Sequence, residues 1–237
     1  MNPSFIYFDL DNTLLDHSLA EKKAHEEIHQ SNPELQQVSL REWLDSYRAV
    51  NSTLWLQYQN GDIDRQRLQY SRFYDSMQQI GLQTDRSEEI GTQYMDAYRT
   101  HWSWIDGAKE AFLELSNRFP VGIITNGFTE TQQLKFEKLG LEDHCEVMII
   151  TEDIGKLKPH PKVFDIGTER AGVNRESILY VGDSYTSDIT GGRNAGWKTA
   201  WYTAFVSKIE KNQTADFMFE KFPELMGFLG DYARTDS

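Results

Sequence analysis

The sequence predicts an α/β fold: a doubly wound parallel sheet, interrupted after its first strand by an inserted α-helical bundle. Three observations carry this expectation. A short apolar segment, Phe5-Ile6-Tyr7-Phe8, ends in a polar cluster, as a buried strand emptying into a loop does. From about Leu19 to Trp102 the chain turns rich in Gln, Glu, Arg, Leu and Tyr, with Pro33 its only proline and apolar residues at helical spacing. Beyond Trp104, short apolar segments alternate with helical ones, the mark of repeated βα units whose sheet is covered by helices on both faces.

The elements follow in order. Within the helical stretch, Trp43, Leu44, Tyr47, Val50 and Leu54 make one apolar stripe, and Leu68, Phe73, Met77 and Ile80 another. Breaks fall at Ser31-Asn32-Pro33, Asn60-Gly61-Asp62 and Ile80-Gly81, so about four helices are expected, packed as a bundle. Val121-Gly122-Ile123-Ile124 reads as a strand, followed by the turn Thr125-Asn126-Gly127 and a helix that Gly140 stops. Val147–Ile150 is the next strand, and a helix runs from near Pro161 to Gly172. Ile178–Val181 is a strand leading through Gly182-Asp183 to a helix from about Thr186 to Asn194. Thr199–Tyr202 and Phe217–Phe219 complete the set, and the tail after Gly230 is expected to fray. The sheet domain is therefore assigned to residues 1–16 and 105–237, and the helical one to 17–104.

Bulk properties narrow the function. With 237 residues and 39% hydrophobic content, burial can offset the entropy of ordering. A formal net charge of −13, without a run of Lys and Arg, argues against binding a nucleic-acid polymer. Small phosphorylated ligands remain compatible if a metal neutralises them. The single cysteine, Cys145, excludes an intrachain disulfide and a Cys-rich metal site; it is expected in a core strand as a small apolar residue. The chain leads directly from Met1-Asn2-Pro3 into a strand, and no apolar run approaches the ~20 residues of a membrane span. A reducing cytoplasm is the expected compartment, and no membrane partner is expected. The oligomeric state is not readable.

Ligands of open parallel sheets bind beyond the carboxyl ends of the strands. Four polar clusters lie at or near such ends: Asp9-Leu10-Asp11-Asn12-Thr13, Thr125-Asn126-Gly127, Lys158-Pro159, and Gly182-Asp183 through Asp188. Alone, an Asp-rich loop after a strand reads as a turn or helix cap. Together and in order, the four resemble motifs one to four of the haloacid dehalogenase-like hydrolases, over nearly the whole chain.

The resemblance implies a Rossmann-like core and Mg²⁺-dependent phosphoryl transfer. Asp9 would be the nucleophile, forming an aspartyl-phosphate, and would also bind Mg²⁺ with Asp183 and the Asp11 backbone carbonyl. Asp188 would orient the site from just outside the ion, or bind it through water. Asp11 would protonate the leaving alcohol and later deprotonate water, which calls for a raised pKa. Its presence favours phosphate chemistry over dehalogenation, which needs no such acid. Thr125, Asn126 and nearby backbone N–H groups would hold the phosphoryl oxygens, with Lys158 supplying positive charge. Lys158 is preferred to Lys156 because it directly precedes proline. Asn12 stands where many members carry glycine, and His160 where an acidic or amide residue is usual, which points to a structural role for His160.

The inserted helices fall where this superfamily places a cap that closes over the site and contributes to specificity, with hinges near Leu14-Leu15-Asp16 and Trp104-Ile105-Asp106-Gly107. Most of the cap's aromatic residues are expected in its core. The stretch from Tyr47 through Trp55 is similar to the cap of bacterial pyrimidine-preferring 5′-nucleotidases, which makes nucleoside monophosphates the leading substrate class and Asn51 and Trp55 candidate contacts. A phosphatase for sugar phosphates or phosphoglycolate is the alternative. A catalytically silent binding protein on the same fold is a second, set against by the presence of Asp9, Asp11, Lys158 and Asp183.

Overall fold

The structure, a computed structural model, describes residues 3–230. The tail expected to fray lies outside them. The chain forms two compact units: one holds the residues up to Asp16 and from Ser103 onward, the other runs His17–Trp102. No helix among the described residues is long and apolar enough to cross a membrane.

The first unit is built on six parallel strands: β1 (Phe5–Phe8), β2 (Val121–Thr125), β3 (Val147–Ile150), β4 (Ile178–Gly182), β5 (Lys198–Tyr202) and β6 (Phe217–Phe219), in the order β3-β2-β1-β4-β5-β6. The expected strands are all present, within a residue at each end. They are short and mostly apolar, and β1, β2 and β4 are buried along their whole length. The chain order reverses at β1, whose neighbours are β2 and β4, and this switch point opens a crevice at the carboxyl ends.

The second unit comprises four helices: α1 (His17–Ser31), α2 (Leu40–Asn60), α3 (Arg65–Gln79) and α4 (Ser87–Thr100). Helix α2 starts where Ser39 accepts a hydrogen bond from Glu42 N and ends at Gly61, whose φ of 81° suits glycine. Asp64 caps α3 in the same way, accepting from Arg67 N at 2.7 Å. The stripes pack inward: Trp43, Leu44, Tyr47, Leu54, Leu68, Phe73 and Met77 are buried. At their centre lies His25, which accepts a hydrogen bond from Trp43 Nε1 at 3.1 Å and is held well below the usual histidine range by burial and by the Arg48 charge. Trp55, Tyr58, Tyr70 and Tyr74 are only partly buried or exposed.

In the sheet unit the remaining helices are α5 (Ala108–Ser116), α6 (Thr129–Leu139), α7 (Thr151–Ile154), α8 (Pro161–Ala171), α9 (Gly191–Asn194) and α10 (Phe222–Gly230). Helix α6 stops at Gly140 and α8 at Gly172, both left-handed, as their spacing predicts. His160 caps α8, its Nδ1 accepting from Lys162 N at 3.2 Å. Near the connections to the helical unit, Leu15 bridges to Trp104, with Ile105 N donating to Leu14 O and Asp16 N to Ser103 O.

Two local expectations are corrected. Cys145 precedes β3 rather than lying within a strand, in the half-buried turn that Leu141 O closes by accepting from its N–H at 3.1 Å. The expected helix from Thr186 to Asn194 begins instead as a π-helical turn, Tyr185–Thr190, before α9. Its wide step is the hydrogen bond from Ile189 N to Ser184 O at 3.2 Å. The Ser184 hydroxyl and the Asp188 carboxylate both bond backbone N–H groups inside this turn.

One face of the sheet is an aromatic cluster. Phe164 of α8 meets Trp197 at 5.3 Å and Tyr180 at 5.9 Å between ring centroids, and Tyr7 stacks on Trp197 at 5.2 Å. Gly191 admits the Phe164 ring where a Cβ would overlap it. Burying such a ring contributes roughly 1.5–3 kcal/mol, and its removal also leaves a cavity. Phe164→Ala should therefore cost about 3–5 kcal/mol in urea unfolding; a loss below about 1 kcal/mol would show that the cluster does not carry this core.

Candidate active site

Register places the key residues. Phe8 pairs with Val181, and Asp9 N donates to Val181 O at 2.8 Å, so the tips of β1 and β4 end side by side. Asp9 leaves β1 one residue past this pair, and Asp183 leaves β4 two residues past it. Helical winding after Ser184 brings Asp188 back beside both. Gly182 makes this return possible, because a Cβ there would overlap the Asp188 carboxylate. Asp9, Asp183 and Asp188 each present a carboxylate oxygen within 4.8 Å of the others.

Lys158 sits among them, 2% exposed. Its Nζ lies 2.6 Å from Asp9 Oδ1, 2.8 Å from Asp188 Oδ1, 2.7 Å from the Tyr180 hydroxyl and 2.9 Å from Ile124 O. Burial works against the ammonium, but Asp188 and Asp9 outweigh it and hold Lys158 above the usual lysine range. Lys156, its sequence competitor, is exposed. The carboxylates are under the opposite strain. Burial pushes Asp9 up to about 7 despite the pull of Lys158, with Asp188 and Asp11 adding repulsion. Asp183 is raised well above the usual range by burial and by Asp9 and Asp188.

These residues fit a divalent cation. They are hard oxygen donors, and with all three carboxylates ionised a single ammonium leaves two negative charges uncompensated in a buried place. Asp188, expected just outside the ion, presents a carboxylate oxygen within 4.8 Å of those of Asp9 and Asp183.

The other expected residues sit around this cluster. Thr125, at the end of β2, is fully buried, its Oγ1 accepting from Gln132 Nε2 at 2.5 Å. The Asn126 side chain is engaged with the chain around Lys158. Oδ1 accepts from Lys158 N at 2.8 Å and from the Thr151 hydroxyl at 2.9 Å, while Nδ2 donates to Lys158 O at 3.1 Å. The amide clamps the Lys158 backbone. Thr13 Oγ1 donates to Asp9 Oδ2 at 3.3 Å. Asp11 points elsewhere: Lys135 Nζ donates to its two oxygens at 2.6 and 2.8 Å, and Gln132 Nε2 to Oδ2 at 3.0 Å. Asn51 and Trp55 lie in the helical unit, one turn apart on one face of α2, each partly buried.

Sequence reasoning missed Tyr180, Gln132 and Lys135. Tyr180 was hidden as one more aromatic in a strand, and nothing in its neighbours sets it apart. Gln132 and Lys135 did leave a signal: with Phe128 and Leu139 they fall on one helical face, so two polar residues occupy the buried stripe of α6.

Comparison with known proteins agrees with this geometry. The profile of the haloacid dehalogenase-like hydrolases matches residues 6–202. The pyrimidine 5′-nucleotidase YjjG of Escherichia coli K12 is 37% identical over 159 residues, 67% of this chain and 69% of that protein. The pyrimidine 5′-nucleotidase PynA of Streptococcus pneumoniae R6 is 32% identical over 200 residues, 84% and 83% of the two chains. The crystal structure of Bacillus subtilis YfnB bound to magnesium superposes with a TM-score of 0.84 at 27% identity, covering 97% of this chain and 100% of that one. Four motifs gathered at one sheet tip, a matching family profile and these relatives lead to one assignment: the chain belongs to the haloacid dehalogenase-like hydrolases.

Proposed function

We propose that this hydrolase is a Mg²⁺-dependent, cytoplasmic phosphomonoesterase that works through an aspartyl-phosphate on Asp9 and acts on small phosphorylated metabolites, nucleoside 5′-monophosphates first among them. The observation that carries the chemistry is the group of buried Asp9, Asp188 and Lys158 with half-buried Asp183 at the β1/β4 tips. The substrate class rests on the likeness to YjjG and PynA.

Asp9, Asp183 and Asp188 would hold the ion with the Asp11 backbone carbonyl. Bound Mg²⁺ supplies the positive charge that lets a carboxylate approach a phosphate dianion. The chain's own residues do the rest. Asp9 attacks phosphorus, the bond from phosphorus to the leaving oxygen breaks, and Asp11 gives that oxygen a proton. Water then attacks the phosphorus held on Asp9, Asp11 accepts its proton, and inorganic phosphate leaves as the Asp9–phosphorus bond breaks. Lys158 and Thr125 face the transferring phosphoryl, whose equatorial oxygens carry the transition-state charge. Asn126 works at one remove, by fixing the Lys158 backbone. In the helical unit, we assign base recognition to α2. Trp55 offers a ring for stacking, and Asn51 a side-chain carbonyl whose buried oxygen has no hydrogen-bond partner among the described residues.

Asp9→Asn should abolish hydrolysis of 4-nitrophenyl phosphate, by at least about 10³-fold, while circular dichroism and thermal midpoint stay close to wild type. Excess chelator should do the same, reversed by Mg²⁺. Substantial turnover in either condition would defeat the mechanism. The substrate class is tested by kcat/KM over UMP, dUMP, TMP, AMP, sugar phosphates and phosphoglycolate. The nucleotides should lead by about tenfold or more, a difference of about 1.4 kcal/mol. Equal slow rates across the panel, or a lead for a sugar phosphate or phosphoglycolate, would reject a dedicated nucleotidase.

A further inference from the structure

Lys135 is 3% exposed and Gln132 1% exposed, yet the four family motifs include neither. They stand three residues apart on α6, so their side chains leave the same helical face. Burying an ammonium costs several kcal/mol unless a partner takes up its charge. Lys135 Nζ meets both Asp11 oxygens, at 2.6 and 2.8 Å. Gln132 Nε2 reaches Thr125 Oγ1, Asp11 Oδ2 and the Asn126 carbonyl, at 2.5, 3.0 and 3.3 Å. One nitrogen thus serves both the expected phosphoryl-binding hydroxyl and the expected acid. The backbone accommodates this reach: a Cβ on Gly127, whose φ is 157°, would come within 2.8–2.9 Å of Gln132 Cγ, Cδ and Nε2.

We propose that Lys135 and Gln132 are positioning residues that hold the Asp11 carboxyl beside Thr125 for proton transfer with the leaving oxygen. The inference rests on the phosphomonoesterase reading above, in which Asp11 is that acid. A carboxyl on a loop turns about two side-chain bonds; three hydrogen bonds to its two oxygens fix that rotation. A displacement of ~1 Å in a catalytic group costs on the order of 10²-fold in rate. The alternative is a purely structural tie between the loop after β1 and α6. The two differ in one respect. Losing a tie lowers turnover of every substrate alike, whereas a misplaced acid penalises the substrates whose leaving oxygen needs the proton most.

The experiment measures kcat/KM, which covers the steps up to departure of the alcohol, for 2,4-dinitrophenyl, 4-nitrophenyl and phenyl phosphate in saturating Mg²⁺. Wild type, Lys135→Met, Lys135→Arg and Asp11→Asn are compared, with circular dichroism and thermal midpoints for each. Lys135→Met should lose about 10–100-fold on phenyl phosphate and no more than about threefold on the dinitrophenyl ester. Asp11→Asn should show the same grading more steeply, and Lys135→Arg should recover part of the loss. Should Lys135→Met not fold, Gln132→Met carries the same comparison. A loss in Lys135→Met that is equal across the series, or absent, beside a graded loss in Asp11→Asn would overturn the inference and leave the acid role of Asp11 standing. A flat Asp11→Asn series would remove that acid role and the inference with it.

Discussion

Two carboxylates, Asp9 and Asp188, share one buried ammonium at the tip of the sheet with a third, Asp183, beside them, and the rest of the site is arranged around that imbalance. Desolvating charges is costly, and one lysine cannot neutralise three aspartates. The consequence is visible on both partners. Asp9 and Asp183 are pushed up by burial and by the neighbouring carboxylates, and Lys158 is pushed up because Asp188 and Asp9 outweigh the effect of its burial. The group is short of positive charge, which fits a divalent cation.

The fold supplies the imbalance through simple means. Parallel strands end level, and the reversal of strand order at β1 leaves the tips of β1 and β4 adjacent with a crevice beyond them. Asp9 and Asp183 are consequences of that register. Asp188 is brought in by a π-helical turn rather than a regular helix, and Gly182 leaves the room its carboxylate fills. Lys158 arrives from a loop, so its backbone needs fixing. Asn126 does this from both sides of the peptide unit, and Tyr180 and Ile124 line the place where the ammonium lies.

The strands were legible because each is a short, mostly apolar run, and a central strand buried along its whole length leaves no other pattern. The stops at Gly140 and Gly172 were legible for an equally local reason, the left-handed conformation that ends a helix. The clusters after β1, β2 and β4 could be read because chemistry and position coincide there. What could not be read depends on contacts across long sequence separations. The direction of the Asn126 amide is set by a loop 32 residues away, and the partners of Asp11 lie 121 and 124 residues on. Helical periodicity exposed Gln132 and Lys135 only as polar residues on a buried stripe. Cys145 was misread because an apolar neighbourhood in sequence resembles a strand, while the turn closed by Leu141 ends just before β3 begins.

Calorimetric titration of Mg²⁺ into the protein, wild type against Asp183→Asn, addresses the imbalance itself without any turnover. The account requires one Mg²⁺ per chain in the wild type, and binding weakened by about 10-fold or more once that carboxylate is made neutral. Unchanged affinity in Asp183→Asn, or no saturable binding in the wild type, would contradict it.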